Sequence, residues 1–418
     1  MKKYLILIIF PVLIILFMSC NLKNSSKVKV KTGLDVLIKD EFNILKDKKV
    51  GIVANHTSVN KNGKHIVDII NDFKNTEVTA IFAPEHGFRG EAAAGKYVEN
   101  NIDPSTNAPI FSIYGKHRKP NSKMLENVDI LIFDIQDIGS RFYTYISTMG
   151  NIMEAGAEND IPVIILDRPN PIGGIVEGNV LNKKYSSFVG MYPIPIRHGM
   201  TVGELANMIK NEKWINEAED LKLKVIKLEN WDHKIFFPQI NLNWIDPSPN
   251  MRNFNEAILY PGMCLFEATN FSEGRGTKHP FEWVGAPFIN SEEVIKNLDK
   301  LGLKGVKFKA ITFKPKDMPG CAVNPKFEDE IINGISIKVT DPAKFRSIDF
   351  GVNLIILLRD LYPDDFSVSR PNWIDKLWGD DSFRKMYNNN RSANEIINAY
   401  GIKLKKFINL RKKYLFYD

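Results

Sequence analysis

The run Val128–Asp137, "VDILIFDIQD", decides the fold. Ile130 to Phe133 are apolar without interruption, and the run then breaks into Gln136 and Asp137. A strand with one wet face alternates apolar and polar residues, whereas a continuous branched run belongs to a strand covered by helices on both faces. The same build recurs on either side: "KVGIVAN" (Lys49–Asn55), "VTAIFAPEH" (Val78–His86), "APIFSIYG" (Ala108–Gly115) and "IPVIILDRP" (Ile161–Pro169). Helical patterns intervene near Lys64–Phe73 and Thr144–Asn159, and another follows near Thr201–Lys210. This alternation predicts an α/β architecture, a Rossmann-like doubly wound domain over residues 33–212. Beyond it, "LKLKVIKLE" (Leu221–Glu229), "VKFKAITFKP" (Val306–Pro315) and "INGISIKVTD" (Ile332–Asp341) are more scattered, with helices near Glu292–Leu301 and Arg346–Leu361. They predict a smaller α/β domain over 213–418 that completes a cleft, with one solvated sheet face.

The length of 418 residues, 44% hydrophobic and 25% charged, suits an ordinary globular chain and excludes disordered and fibrous classes. The first twenty residues, "MKKYLILIIFPVLIILFMSC", have a basic start, an apolar run from Tyr4 to Met18, and then Ser19 and Cys20. As a helix that run reaches about 22 Å, short of the roughly 30 Å hydrocarbon core, so residues 1–19 read as a signal peptide rather than an anchor. Ser19-Cys20 resembles the lipobox of bacterial lipoproteins, with Phe17 and Met18 departing from its usual pattern. The expectation is lipidation at Cys20, a solvated tether over 20–32, and export to the periplasm or cell envelope. Removing Lys2 and Lys3 takes the formal charge from +7 to 7 − 2 = +5, and no basic block is interleaved with aromatics, so nucleic acid is not an expected partner. Cys264 and Cys321 are the remaining thiols, and the sequence leaves open whether they pair.

Each apolar run stops in polar chemistry: Asn55, His56 and Thr57; Glu85 and His86; Gln136 and Asp137; Asp167 and Arg168. In open parallel sheets the ligand crevice lies outside the carboxyl ends of the strands, so these groups point to one site. Signatures for dinucleotides, P-loop phosphates, zinc proteases and serine nucleophiles are missing, and the seven histidines show no ligand spacing. No metal and no cofactor are expected, which leaves carboxylates. Glu85, after Pro84 at a strand end, is either a general acid or the partner of Arg89, four residues on. Asp137 is the second carboxylate, with Asp134 holding a neighbouring turn. Tyr143 and Tyr145 either stack on a sugar or belong to the core. Asp167, Arg168 and Asn170 end the next strand in "LDRPNP", and Arg168 is either a ligand clamp or the mate of Asp167. Thr201 and Glu204 form a capping box that places His198 just before a helix. "SEGRGT" brings Glu273 and Arg275 from the second domain.

Together "PEHGFRGE", "FDIQDIGSRFYTY", "LDRPNP", "RHGMTVGEL", "PSPNM" and "SEGRGT" resemble the exo-β-N-acetylmuramidases of glycoside hydrolase family 171, formerly a domain of unknown function, from about Gly33 to the C-terminus. The resemblance implies a Rossmann-like domain, a smaller C-terminal domain and a cleft between them. It implies release of non-reducing terminal N-acetylmuramic acid from peptidoglycan fragments, with Glu85 as the essential carboxylate. The second carboxylate is then Asp137, with Glu273 behind it. Because that sugar carries a lactyl carboxylate, at least one of Arg89, Arg141, Arg168 and Arg275 is expected to bind it. Asn55, His86, Gln136, Tyr143, Asp167, Asn170, His198 and Glu273 complete the candidate site. A lipid-anchored protein that captures wall fragments without cleaving them is the alternative from a different class; it needs the same cleft but has no strict need for Glu85.

Overall fold

The computed structural model describes residues 27–417 apart from 86, 89–100 and 116. Six strands come first: β1 (Lys48–Ala54), β2 (Thr76–Ala83), β3 (Asn101–Ile102), β4 (Pro109–Ser112), β5 (Ile130–Asp134) and β6 (Val163–Leu166). A small antiparallel ladder of β7 (Glu177–Val180) and β8 (Pro195–Arg197) follows, then β9 (Leu223–Ile226). Among the described residues the main sheet runs β3-β4-β2-β1-β5-β6-β9, parallel throughout except for β3 against β4. Setting β3 aside, the order reverses between β1 and β5, as in a doubly wound nucleotide-binding sheet.

Two-sided burial is visible residue by residue. Along β5, Leu131 and Phe133 enter one apolar core, while Ile130 and Ile132 enter the other. The period of two in a strand sends neighbours to opposite faces, and both faces are covered, so no polar position is tolerated between them. The helices Tyr145–Glu158 and Val202–Asn211 supply the first core; Gly33–Lys39 and Ile66–Asn71 supply the second.

β9 corrects the expected boundary. Leu223 to Ile226 pair in parallel with Val163 to Leu166, so the first domain extends past residue 212. The lysines that alternate with apolar residues there mark the edge of the first sheet, where one face stays wet, rather than the start of a second sheet. The smaller unit holds the antiparallel sheet of β10 (Trp283–Ala286), β11 (Val306–Phe313) and β12 (Ile332–Val339), in the order β10-β12-β11. Helices Phe254–Met263, Ser291–Lys300 and Ser347–Leu361 pack around it. One apolar core runs through both units, joining Leu205 of the first to Ile258 and Ile355 of the second. The chain end returns to the first domain, where the Tyr417 hydroxyl donates to Asp167 at 2.6 Å. Cys264 and Cys321 are both free thiols.

Candidate functional site

Glu85 follows Pro84 one residue beyond the end of β2, and the amide of Gly87, at φ +80°, closes a turn onto the Pro84 carbonyl. Thr144 Oγ1 holds its carboxylate, donating to Glu85 Oε2 at 2.8 Å. The Tyr114 phenol, just past β4, shares the cavity wall with it, and burial, then the Glu85 charge, push that phenol well above its ordinary pKa, so it stays protonated. Thr144 occupies the cap position of the helix Tyr145–Glu158 but makes no capping hydrogen bond. A threonine there normally satisfies a helix amide; this one serves Glu85 instead, the kind of local exception that accumulates at functional sites.

Around Glu85 lies a cavity of about 420 Å³ between the two units. Tyr114, Phe142 and Thr144 line it from the first; Tyr260, Glu267, Arg275 and Trp373 line it from the second. A contiguous pocket of about 100 Å³, also lined by Glu85, is walled by Tyr143, Tyr145, Ser248, Asn250 and Phe281. The larger volume and the mixed apolar and polar walls suit a saccharide. Asn55 donates to the Tyr145 hydroxyl at 3.0 Å, which donates to the Pro247 carbonyl at 2.7 Å, tying the end of β1 to the "PSPN" loop.

Arg275 enters the cavity from "SEGRGT", where Gly274 and Gly276 both take φ +80°; a Cβ on Gly274 would meet the Trp283 carbonyl oxygen at 2.3 Å. Its guanidinium bonds Glu267 at 2.7 Å, lies 3.6 Å from Glu273, and stacks on Phe281 with 5.1 Å to the ring centre. Burial opposes that charge, but Glu267 and Glu273 outweigh it and hold Arg275 above its ordinary pKa. Glu273 is itself buried; Lys326 at 2.9 Å and Arg275 outweigh the burial and keep its carboxyl below the usual range. Glu273 thus braces Arg275 from behind, and the second carboxylate on the cavity wall is Glu267, whose Oε2 also accepts from Trp373 Nε1 at 3.2 Å.

Several expected site residues lie elsewhere. Arg141 is fully buried, donates to the carbonyls of Asn179, Ile194 and Leu377 at 2.7, 2.9 and 2.6 Å, and lines neither Glu85 pocket. Asp167 accepts from Thr201, Gly203, Tyr417 and the Arg168 amide, a hub that fastens the chain end to β6. Arg168 is paired with Asp134, not Asp167, with Nη2 at 2.8 Å from Oδ2. Asn170 bonds the Met200 carbonyl and the Ile172 amide. Gln136 and Arg168 line a separate, small pocket of about 60 Å³ beside Trp244, at the β1/β5 reversal. Asp137 is buried outside the Glu85 cavity lining, its Oδ2 accepting from Gly139 and 3.7 Å from His198 Nε2. His198 is fully buried and accepts from the Met200 amide. The expectations for His86, Arg89 and Cys20 fall outside the described residues. Tyr114 and Glu267 carried no sequence signal beyond the rule that strand ends and loops bear chemistry.

The fold and the cavity define a two-unit α/β protein built to hold a sugar against a hydroxyl-braced carboxylate. The chain belongs to the exo-β-N-acetylmuramidase NamZ family: the N-terminal family model matches residues 50–255 and the C-terminal one residues 258–417. It is 45% identical over 396 residues to the peptidoglycan β-N-acetylmuramidase NamZ of Bacillus subtilis (strain 168), covering 94% of this chain and 93% of that one. Two crystal structures of DUF1343 family proteins from Bacteroides fragilis NCTC 9343 have the same fold. One superposes with a TM-score of 0.86 at 34% identity over 94% of this chain and 100% of its own; the other with 0.75 at 37% over 93% and 99%.

Proposed function

We propose that this protein is an exo-acting glycoside hydrolase that releases terminal N-acetylmuramic acid from the non-reducing end of peptidoglycan fragments. The observation that carries the reading is Glu85, held by Thr144 beside Tyr114 on the wall of an interdomain cavity, in a chain of the exo-β-N-acetylmuramidase family. Glu85 is the group that passes a proton to the glycosidic oxygen as the bond to the sugar C1 breaks; water then supplies the hydroxyl that C1 gains, and its remaining proton restores the Glu85 carboxyl. Glu267, kept in place by Arg275 and Trp373, is the second carboxylate and faces the positive charge that develops at C1. The N-terminal stretch supports an exported envelope protein lipidated at Cys20.

The test is release of N-acetylmuramic acid from a β-linked muramic acid disaccharide by the chain from Lys31 onward, beside Glu85→Gln and Asp137→Asn. Glu85→Gln should lose about 10²- to 10⁴-fold in kcat with little change in KM. Equal release by parent and Glu85→Gln would move the chemistry to another residue, and binding without release by any form would make the protein a capture module.

A further inference from the structure

The cations of the cavity are not equivalent. Arg275 is neutralised by Glu267 and Glu273, and Arg141 and Arg168 are engaged within the protein. Two further cations line the same cavity as Glu85: Arg118 and Lys376, both exposed, and neither has a carboxylate partner among the described residues. Arg118 is the better ordered, because its guanidinium lies over the Phe188 ring at 4.4 Å from the centroid. Phe188 also packs against Tyr114, with ring centres 6.1 Å apart, and Tyr114 shares the cavity wall with Glu85. A single aromatic ladder thus fixes a flat guanidinium at a set distance from the reacting carboxyl. Stacking leaves the edge N–H groups free, and that planar fork matches a carboxylate in bidentate fashion.

Resting on the muramidase reading, we propose that Arg118 is the specificity-determining residue that receives the lactyl carboxylate of the terminal sugar, with Lys376 supplying a second positive charge across the cavity. A neutral amino sugar such as N-acetylglucosamine has no group to offer there, so Arg118 separates muramic acid from glucosamine. Phe188 and Tyr114 act as positioning residues for it.

The test compares the parent, Arg118→Gln and Arg118→Lys on an aryl β-N-acetylmuramide and on its lactyl amide, which keeps the shape and removes the charge. Binding of free N-acetylmuramic acid and its amide is measured by calorimetry alongside. The parent should favour the acid by about tenfold or more in both kcat/KM and Kd. Arg118→Gln should abolish that preference by bringing kcat/KM and Kd for the acid down to the level of the amide, and Arg118→Lys should keep part of it. An acid-to-amide ratio unchanged by Arg118→Gln, or a parent indifferent to the charge, overturns the proposal. If the parent binds the acid preferentially through Arg118 but cleaves neither compound, the hydrolase reading fails and the anion site stands.

Discussion

Arg141→Met separates a structural guanidinium from a substrate clamp. The substitution keeps most of the aliphatic volume and removes donors to the Asn179, Ile194 and Leu377 carbonyls. A buried carbonyl left without its donor costs about 1–3 kcal/mol, so three cost about 3–9. Two observations lower the figure. Ile194 O still accepts from the Leu181 amide, and burial opposes the charge, pushing Arg141 down to about 9. The net loss is then about 3 kcal/mol, which at a urea slope of about 3 kcal/mol/M moves the midpoint down by about 1 M. Leu377 lies in the last turn of the helix Pro371–Trp378, which carries Trp373 and Lys376 into the cavity, so part of the loss is read as local loosening there. Urea unfolding followed by tryptophan fluorescence, paired with the acid-to-amide ratio of hydrolysis, is the assay. An unchanged midpoint with a collapsed ratio would refute the argument and return Arg141 to the substrate.

Glu256 gives a pH signature. It is fully buried, and desolvation pushes its carboxyl from 4.5 up to about 8. The folded state therefore holds this proton more tightly than the unfolded chain, so the contribution of Glu256 to stability is highest below about pH 4.5 and is lost as pH rises to about 8. Asp167, raised by burial to about 7, adds to the same slope. Glu256→Gln should lose less stability than the parent between about pH 5 and pH 8 by urea unfolding; identical slopes would exclude the carboxyl as the source. Detergent partitioning of the full chain beside Cys20→Ala checks the anchor: the parent should enter the detergent phase and the variant should not, and equal partitioning would remove the lipid from the account.

The sequence by itself determined the class of fold and put Glu85 at a strand end. Unbroken runs such as Ile130–Phe133 suit a strand buried on both faces, and strands so buried end in polar residues at one rim; that pattern marks Glu85 as one group of the rim, and the family resemblance alone singled it out from the others. The capping box at Thr201 and Glu204 was legible for the same reason, because both partners lie within one helical turn. Tertiary structure decided what the charges do. Arg141, Arg168, Asp167 and Glu273 look like site groups in one dimension, yet their partners are Leu377, Asp134, Tyr417 and Lys326, at separations of 236, 34, 250 and 53 residues. Conversely, Tyr114, Glu267 and Arg118 reach the cavity only because β4 and the second unit converge on the end of β2. Burial follows from local pattern, whereas a charge is free or engaged according to neighbours that only the folded chain brings within hydrogen-bond reach.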